Sequence, residues 1–382
     1  MLTIAALGLW RSDDISRLLA VNSLFSKQRI VANFSAMDTM FHSRPVPVNG
    51  DVEPWPTRKT PLPDQILAGE RSVQVEDYLA DTATTSLLVV KDGEIVHESY
   101  LLGTQADDLR ISWSMAKSVL SVAMGIAVED GLIDIDRTVE TYVPTLTQSA
   151  YAGVTVRNAL NMASGVRFNE DYLDFWSDIN RMGRVLALGG SMDEFTAGID
   201  GRLGTPGSVR QYVSIDTHVL AMVLRAATGQ SLPDYVGAKI LSPIGLERQP
   251  HYLADGEGVA FALGGLNMTT RDYARFGQMV LNGGVWDGER LVSPRWLAES
   301  TAPSAPPRFR SDGFGYGYQW WIPDGSNGAF MARGIYGQFM WIDPNRRIVI
   351  VKTSANRNFR QPGVMKQNVI FLDAIAAYYA SQ

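Results

Sequence analysis

Eleven uncharged residues, SVLSVAMGIAV, run on from Ser118 and stop at Glu129-Asp130-Gly131. So long a run without a polar stripe predicts a helix buried on all sides over about 114–128, with Gly131 as its left-handed cap. Just upstream, SLLVV, the turn Lys91-Asp92-Gly93 and EIVHESYL read as a β-hairpin. Between Thr138 and about Gly258 the pattern is helical and loop-like. It includes a clear helix from about Asp216 to Ala227 that stops at Gly229. Another helix, about Thr270 to Leu281, closes at Asn282-Gly283-Gly284. Strand patterns then return in YGYQWWIP, in GQFMWID and, after a turn at Pro344-Asn345, in RIVIVKT. Val364 to Ala380 reads as an amphipathic helix packed on a sheet.

The start of the chain differs. A helix-like piece from Ile15 to Phe25 gives way to SRPVPVNGDVEPWPTRKTPLPD, which is proline-rich and aperiodic. Residues 1–75 are therefore expected to wrap over the surface of a unit spanning 76–382. The order of hairpin, helices, strands and terminal helix predicts an α+β fold. Its antiparallel sheet is built from both ends of the chain and flanked by helices, with a helical subdomain inserted at roughly 138–258.

Composition narrows the chemistry. The 382 residues are 46% hydrophobic, enough for a substantial core, and carry a net charge of -6. No Lys/Arg run suggests a nucleic-acid or membrane-surface partner. With no cysteine, disulfides, thiolate ligands and a Cys nucleophile are all absent. His42, His97, His218 and His251 lie far apart with no ligand spacing, so neither a metal nor another cofactor is expected. The opening MLTIAALGLWRSDD has no basic residue before its apolar run and no cleavage pattern after it, which argues against a signal peptide. Apolar runs fall short of the roughly 18 residues of a membrane span. The expectation is a cytoplasmic protein, with the periplasm left open; a homodimer is compatible with the sequence.

Within the buried helix, ISWSMAKS places Lys117 three residues after Ser114. In a helix the two lie one turn apart and about 60° around the axis, so both side chains can face one point. S-x-x-K recurs by chance, and most such lysines are solvated. Here Ala116, Val119, Leu120 and Met124 surround the lysine, and desolvation would favour a neutral amine able to take the serine proton. Tyr212, followed by Ser214 just ahead of the helix near Asp216, is a candidate second proton-handling group; packing is the alternative. ARGIYGQFMWIDP is a candidate edge strand supplying an oxyanion N–H, its Gly334 and Gly337 letting a substrate approach. Lys352-Thr353-Ser354 lacks the glycine of a K-T-G triad and reads as a strand end with a surface lysine.

Taken in order, SMAK at 114–117, YVS at 212–214 and GIYGQFMWIDP at 334–344 resemble the serine β-lactamase and penicillin-binding superfamily. The likeness is to its class C-like branch of carboxylesterases and 6-aminohexanoate-dimer hydrolases, and VETYVPTL, FNEDYLDF and GGLNMTTRDYARFGQMVLNGG extend it over roughly 80–380. It implies a β-lactamase-like fold with the active site between sheet and helical subdomain. It also implies hydrolysis of a small-molecule amide or ester with Ser114 as nucleophile, Lys117 as base and Tyr212 as proton donor to the leaving group. The backbone N–H groups of Ser114 and Ile335 would form the oxyanion hole. Tyr172 matches a tyrosine that contacts the scissile amide, or else plugs the cleft wall; Ser214, Gly334 and Tyr336 would line the substrate site. Ala332 stands where the triad lysine is expected, which argues against a β-lactamase or D-alanyl-D-alanine carboxypeptidase. Arg333 is a candidate substitute, and Asp178 a candidate partner for a substrate ammonium group. The presence of Ser114, Lys117 and Tyr212 together argues against a non-catalytic sensor.

Overall fold

Asp92 (φ 51) and Gly93 (φ 84) supply the two left-handed residues that a two-residue hairpin loop needs, and they join strands Thr84–Lys91 and Glu94–Tyr100. The computed structural model describes residues 17–382 except 18, 22, 51 and 309–312. The N-terminal stretch MLTIAALGLWRSDD lies outside the described residues. So does part of the helix expected at 15–25, of which residues 17, 19–21, 23 and 24 are helical.

The hairpin becomes one end of a seven-stranded sheet. From the other end the order is Phe314–Tyr316, Trp321–Pro323, Phe330–Gly334, Gln338–Asp343 and Ile348–Ser354, then Thr84–Lys91 and Glu94–Tyr100. Every pairing is antiparallel. Ile348–Ser354 pairs with Thr84–Lys91, so the two ends of the chain do build one sheet. Alternation assigns the faces. Leu87, Val89, Trp341 and Ile350 face one side, where Phe371, Leu372, Ile375 and Tyr379 of the Val364–Ala380 helix cover them. Leu88, Val90, Met340 and Val351 face the other side, under Tyr273, Ala274 and Phe276 of the Thr270–Leu281 helix. Gly277 of that helix lets it lie close: a methyl group there would stand 2.7 Å from Val349.

The Ala116–Glu129 helix runs through the core, buried from Ala116 to Ala127. Its stop is the expected one, with Gly131 at φ 71. The Ile215–Thr228 helix packs beside it and ends at Gly229 in the left-handed conformation. Buried Gln319 ties the layers together. Its backbone oxygen accepts from Ser118 Oγ (2.8 Å), its side-chain oxygen from Thr217 Oγ1 (2.8 Å), and its amide donates to the Leu160 carbonyl (2.9 Å).

Two features differ from expectation. Arg110–Ile111, Leu266–Met268, His251–Leu253 and Ser43–Pro45 form a separate four-stranded sheet, so the 138–258 region ends in a strand. Strands of two or three residues are too short to show a period of two. Second, Gln65–Ala68 and Arg71–Gln74 pair as a hairpin inside the proline-rich opening segment. No helix among the described residues is long and apolar enough to cross a membrane.

Candidate active site

The site forms where the core helix meets the end of a strand. Helix geometry begins as a 3₁₀ turn, Trp113–Met115, and becomes α-helical at Ala116; Ser114 therefore sits in the tight turn and Lys117 in the first α-turn. Trp113 (φ 44) and Tyr336 (φ 60) both hold left-handed backbone conformations that bulky residues avoid. They flank Ser114 and Ile335 respectively, and such strain gathers at functional sites. Strand Phe330–Gly334 runs against the Ser114 turn: a methyl group on Gly334 would lie 2.5 Å from the Ser112 oxygen and 3.1 Å from the Ser114 nitrogen. The room that Gly334 leaves is thus taken by the chain's own backbone. The strand is not an outer edge, since it is third of seven. However, it pairs with Trp321–Pro323 only at Met331↔Trp321, and beyond that point Gly334 meets the nucleophile turn.

Lys117 is 1% exposed, and its Nζ makes no hydrogen bond. Burial lowers it from 10.5 to about 7, against the opposing pull of the carboxylates of Glu170 and Asp216. Its Nζ lies 5.6 Å from the centre of the Tyr212 ring. Tyr212 is held by Trp321, ring centres 5.3 Å apart, and burial raises its hydroxyl well above the usual tyrosine value. Interaction with Ser114 pulls the other way. Tyr212 therefore keeps its proton at neutral pH. Asp216 is fully buried, accepts from Tyr151 (2.7 Å), and is pushed up to about 7 by burial.

Glu170 is the residue that the sequence pattern did not single out, although it lies in the FNEDYLDF stretch. Its carboxylate accepts the Ser214 backbone N–H and the Tyr172 hydroxyl (2.9 Å), joining two substrate-site candidates. Burial raises its carboxyl, with Lys117 opposing. Ser114, Tyr172, Ser214, Ile335 and Tyr336 all line a cavity of about 630 Å³.

Other candidates fall elsewhere. Lys352 is fully buried rather than on the surface: it shares a face with Ile348 and Ile350, donates to Ser354 Oγ (2.7 Å), and is lowered to about 7 by burial. Asp178 accepts the Asn169 N–H (2.8 Å) and pairs with Arg181 (3.1 Å) at the start of the Asp178–Ala187 helix. It is not in the cavity wall. Arg333 lies with its guanidinium 3.8 Å from the Trp321 ring centre. Among the described residues no group of three or more acidic or histidine side chains is placed to hold a metal ion.

A model of the Beta-lactamase family matches residues 74–372. The chain belongs to the β-lactamase family. A 6-aminohexanoate-dimer hydrolase of Paenarthrobacter ureafaciens is 32% identical over 299 residues, 75% of this chain and 76% of that one. A Bacillus anthracis structure provisionally named a 6-aminohexanoate-dimer hydrolase superposes with a TM-score of 0.83 at 25% identity, covering 94% of this chain and 96% of the other. An octameric penicillin-binding protein homologue from Pyrococcus abyssi shares the fold at a TM-score of 0.62 and 20% identity, over 80% of this chain and 75% of its own. The α+β, β-lactamase-like architecture and the assignment to the family's serine hydrolases follow from these matches.

Proposed function

We propose that this β-lactamase-family chain hydrolyses small amides and esters in two steps through an acyl-Ser114 intermediate. The observation that carries the reading is Lys117: a buried amine without a hydrogen bond, lowered to about 7, in the turn after Ser114. Neutral Lys117 takes the Ser114 hydroxyl proton as Oγ bonds to the substrate carbonyl carbon. The N–H groups of Ser114 and Ile335 receive the oxyanion. As the C–N or C–O bond breaks, the leaving group takes a proton from the Tyr212 hydroxyl, which Lys117 replenishes. Water then attacks the acyl carbon, loses its proton to the same pair, and releases the acid with Ser114 restored. Tyr172 and Ser214, fixed through Glu170, border the bound substrate together with Tyr336, while Gly334, expected beside the substrate, instead packs against the Ser114 turn. The catalytic unit spans 76–382, and 1–75 is an N-terminal extension that wraps over it.

The name of the Paenarthrobacter ureafaciens relative brings linear amides into this range. Ala332, which is buried, offers no cation for a β-lactam carboxylate. The test is intact-mass spectrometry after treatment with a fluorophosphonate. One adduct mapping to Ser114, absent from Ser114→Ala, is expected; a chain that stays unlabelled and turns over neither ester nor amide overturns the reading.

A further inference from the structure

Val21, Leu24 and Phe25 line the cavity onto which Ser114 opens, yet they precede residue 74, where the family match begins. Phe25 is held in place: it stacks on Tyr336 with ring centres 4.9 Å apart and planes at 11°, and sits 5.9 Å from Trp113. Across the cavity, Leu173 and Phe175 come from the loop after Tyr172, and Met182 from the Asp178–Ala187 helix. Two apolar side chains of this loop meet water: Leu173 is 83% exposed and Trp176 75%. Large apolar side chains clustered at a cavity mouth mark a ligand-binding rim. Among the described residues of the wall, Arg184 alone is charged. Its guanidinium is engaged with the Phe175 carbonyl (2.7 Å) and lies 4.1 Å from the Phe175 ring centre.

During two-step hydrolysis the acyl part stays bonded to Ser114 while the leaving group departs at Tyr212; Ser114 lines this cavity and Tyr212 does not, which assigns the cavity to the acyl part. We infer that the N-terminal segment makes the cavity a pocket for an uncharged, apolar acyl chain, with Phe25 as a specificity-determining wall. The inference rests on the acyl-Ser114 reading. A terminal ammonium group on the acyl chain would lose its water there and meet no carboxylate among the described wall residues.

The experiment measures kcat/KM of the full chain on p-nitrophenyl acetate, butyrate, hexanoate, octanoate and 6-aminohexanoate. The expected rise is about fourfold per methylene, the worth of one buried CH₂, up to hexanoate or octanoate. The 6-aminohexanoate ester should fall at least about 30-fold below the hexanoate ester, a desolvated charge being costlier than one or two methylenes. Phe25→Ala should lower the hexanoate value about tenfold and leave acetate within about twofold, with Phe25→Leu recovering most of the loss. A series that is flat or favours the ammonium ester overturns the pocket, provided the fluorophosphonate still labels Ser114. Equal losses on both esters in Phe25→Ala overturn Phe25 as a wall. If no substrate turns over and Ser114 is not labelled, the acyl-serine reading itself fails.

Discussion

Gly334 and Ser114 meet backbone to backbone, with 3.1 Å between the Ser114 nitrogen and the place a Gly334 methyl group would occupy. The strand that leads into Ile335 is thereby registered against the turn that carries Ser114. Both N–H groups of the proposed oxyanion hole depend on that contact. Gly334→Ala forces one of them to move. Loss of one oxyanion donor costs about 10²–10³ in kcat, so ester hydrolysis should fall at least about 100-fold. Overpacking of about 1–3 kcal/mol should also lower the melting temperature. A variant that keeps more than about a tenth of the normal kcat would show that the two backbones are not the matched pair proposed.

The pH profile follows from Lys117, whose neutral form is the base. Its value of about 7 makes kcat/KM low in acid and rising as pH passes 7. Glu170 is the first of the two carboxylates that hold Lys117 up against burial. Glu170→Gln removes that support, so the midpoint of the acid limb should move to lower pH. Stopped assays across pH 5–9 measure the shift. A midpoint that stays put or rises means that Glu170 does not act on Lys117.

Tyr212 keeps its proton at neutral pH as an ordinary tyrosine does, and burial raises its hydroxyl further. As a donor to the departing atom, it matters most when the leaving group is a poor one. Tyr212→Phe should lower turnover of an anilide or alkyl amide by about 10²–10⁴, the range of general acid–base catalysis. A p-nitrophenyl ester, whose leaving group departs without a proton, should lose far less. Equal losses on amide and ester would assign Tyr212 to positioning Lys117 instead.

Long elements were legible because burial leaves either an apolar stripe or an unbroken apolar run in them. The buried run after Ser114, the Ile215–Thr228 helix and the Thr270–Leu281 helix with its exact sequence stop all follow from apolar spacing and glycine caps. The small sheet was not legible, since strands such as Arg110–Ile111 carry two residues and no pattern. Glu170 was hidden for another reason. A carboxylate in a polar loop looks solvated, and only the fold brings Ser214 and Tyr172 onto it. The face of Lys352 was available in the alternation of Ile348, Ile350 and Lys352, and the strand-end reading passed over it. Phe25 shows the limit of local pattern: its partner Tyr336 lies more than three hundred residues away, and no periodicity links them.

Lys352 also provides a measurement of stability that is separate from catalysis. Burial lowers it from 10.5 to about 7, with one hydrogen bond to Ser354. The unfolded chain holds the lysine proton between those values and the folded chain does not. Stability therefore climbs with pH from about 7 towards 10.5, by up to about 1.4 kcal/mol per unit. Below pH 7 both states are protonated and the slope vanishes. Lys117 contributes a climb over the same window, so the wild-type rise has two sources. Lys352→Met removes one of them. Urea unfolding at pH 7.5 and 9.5 should show the variant gaining about 2 kcal/mol less than wild type over that interval. Its kcat should remain within about threefold, because Lys352 lies behind the hairpin and outside the cavity wall. An undiminished gain would mean that Lys352 stays protonated in the folded protein, with a counter-charge reaching it.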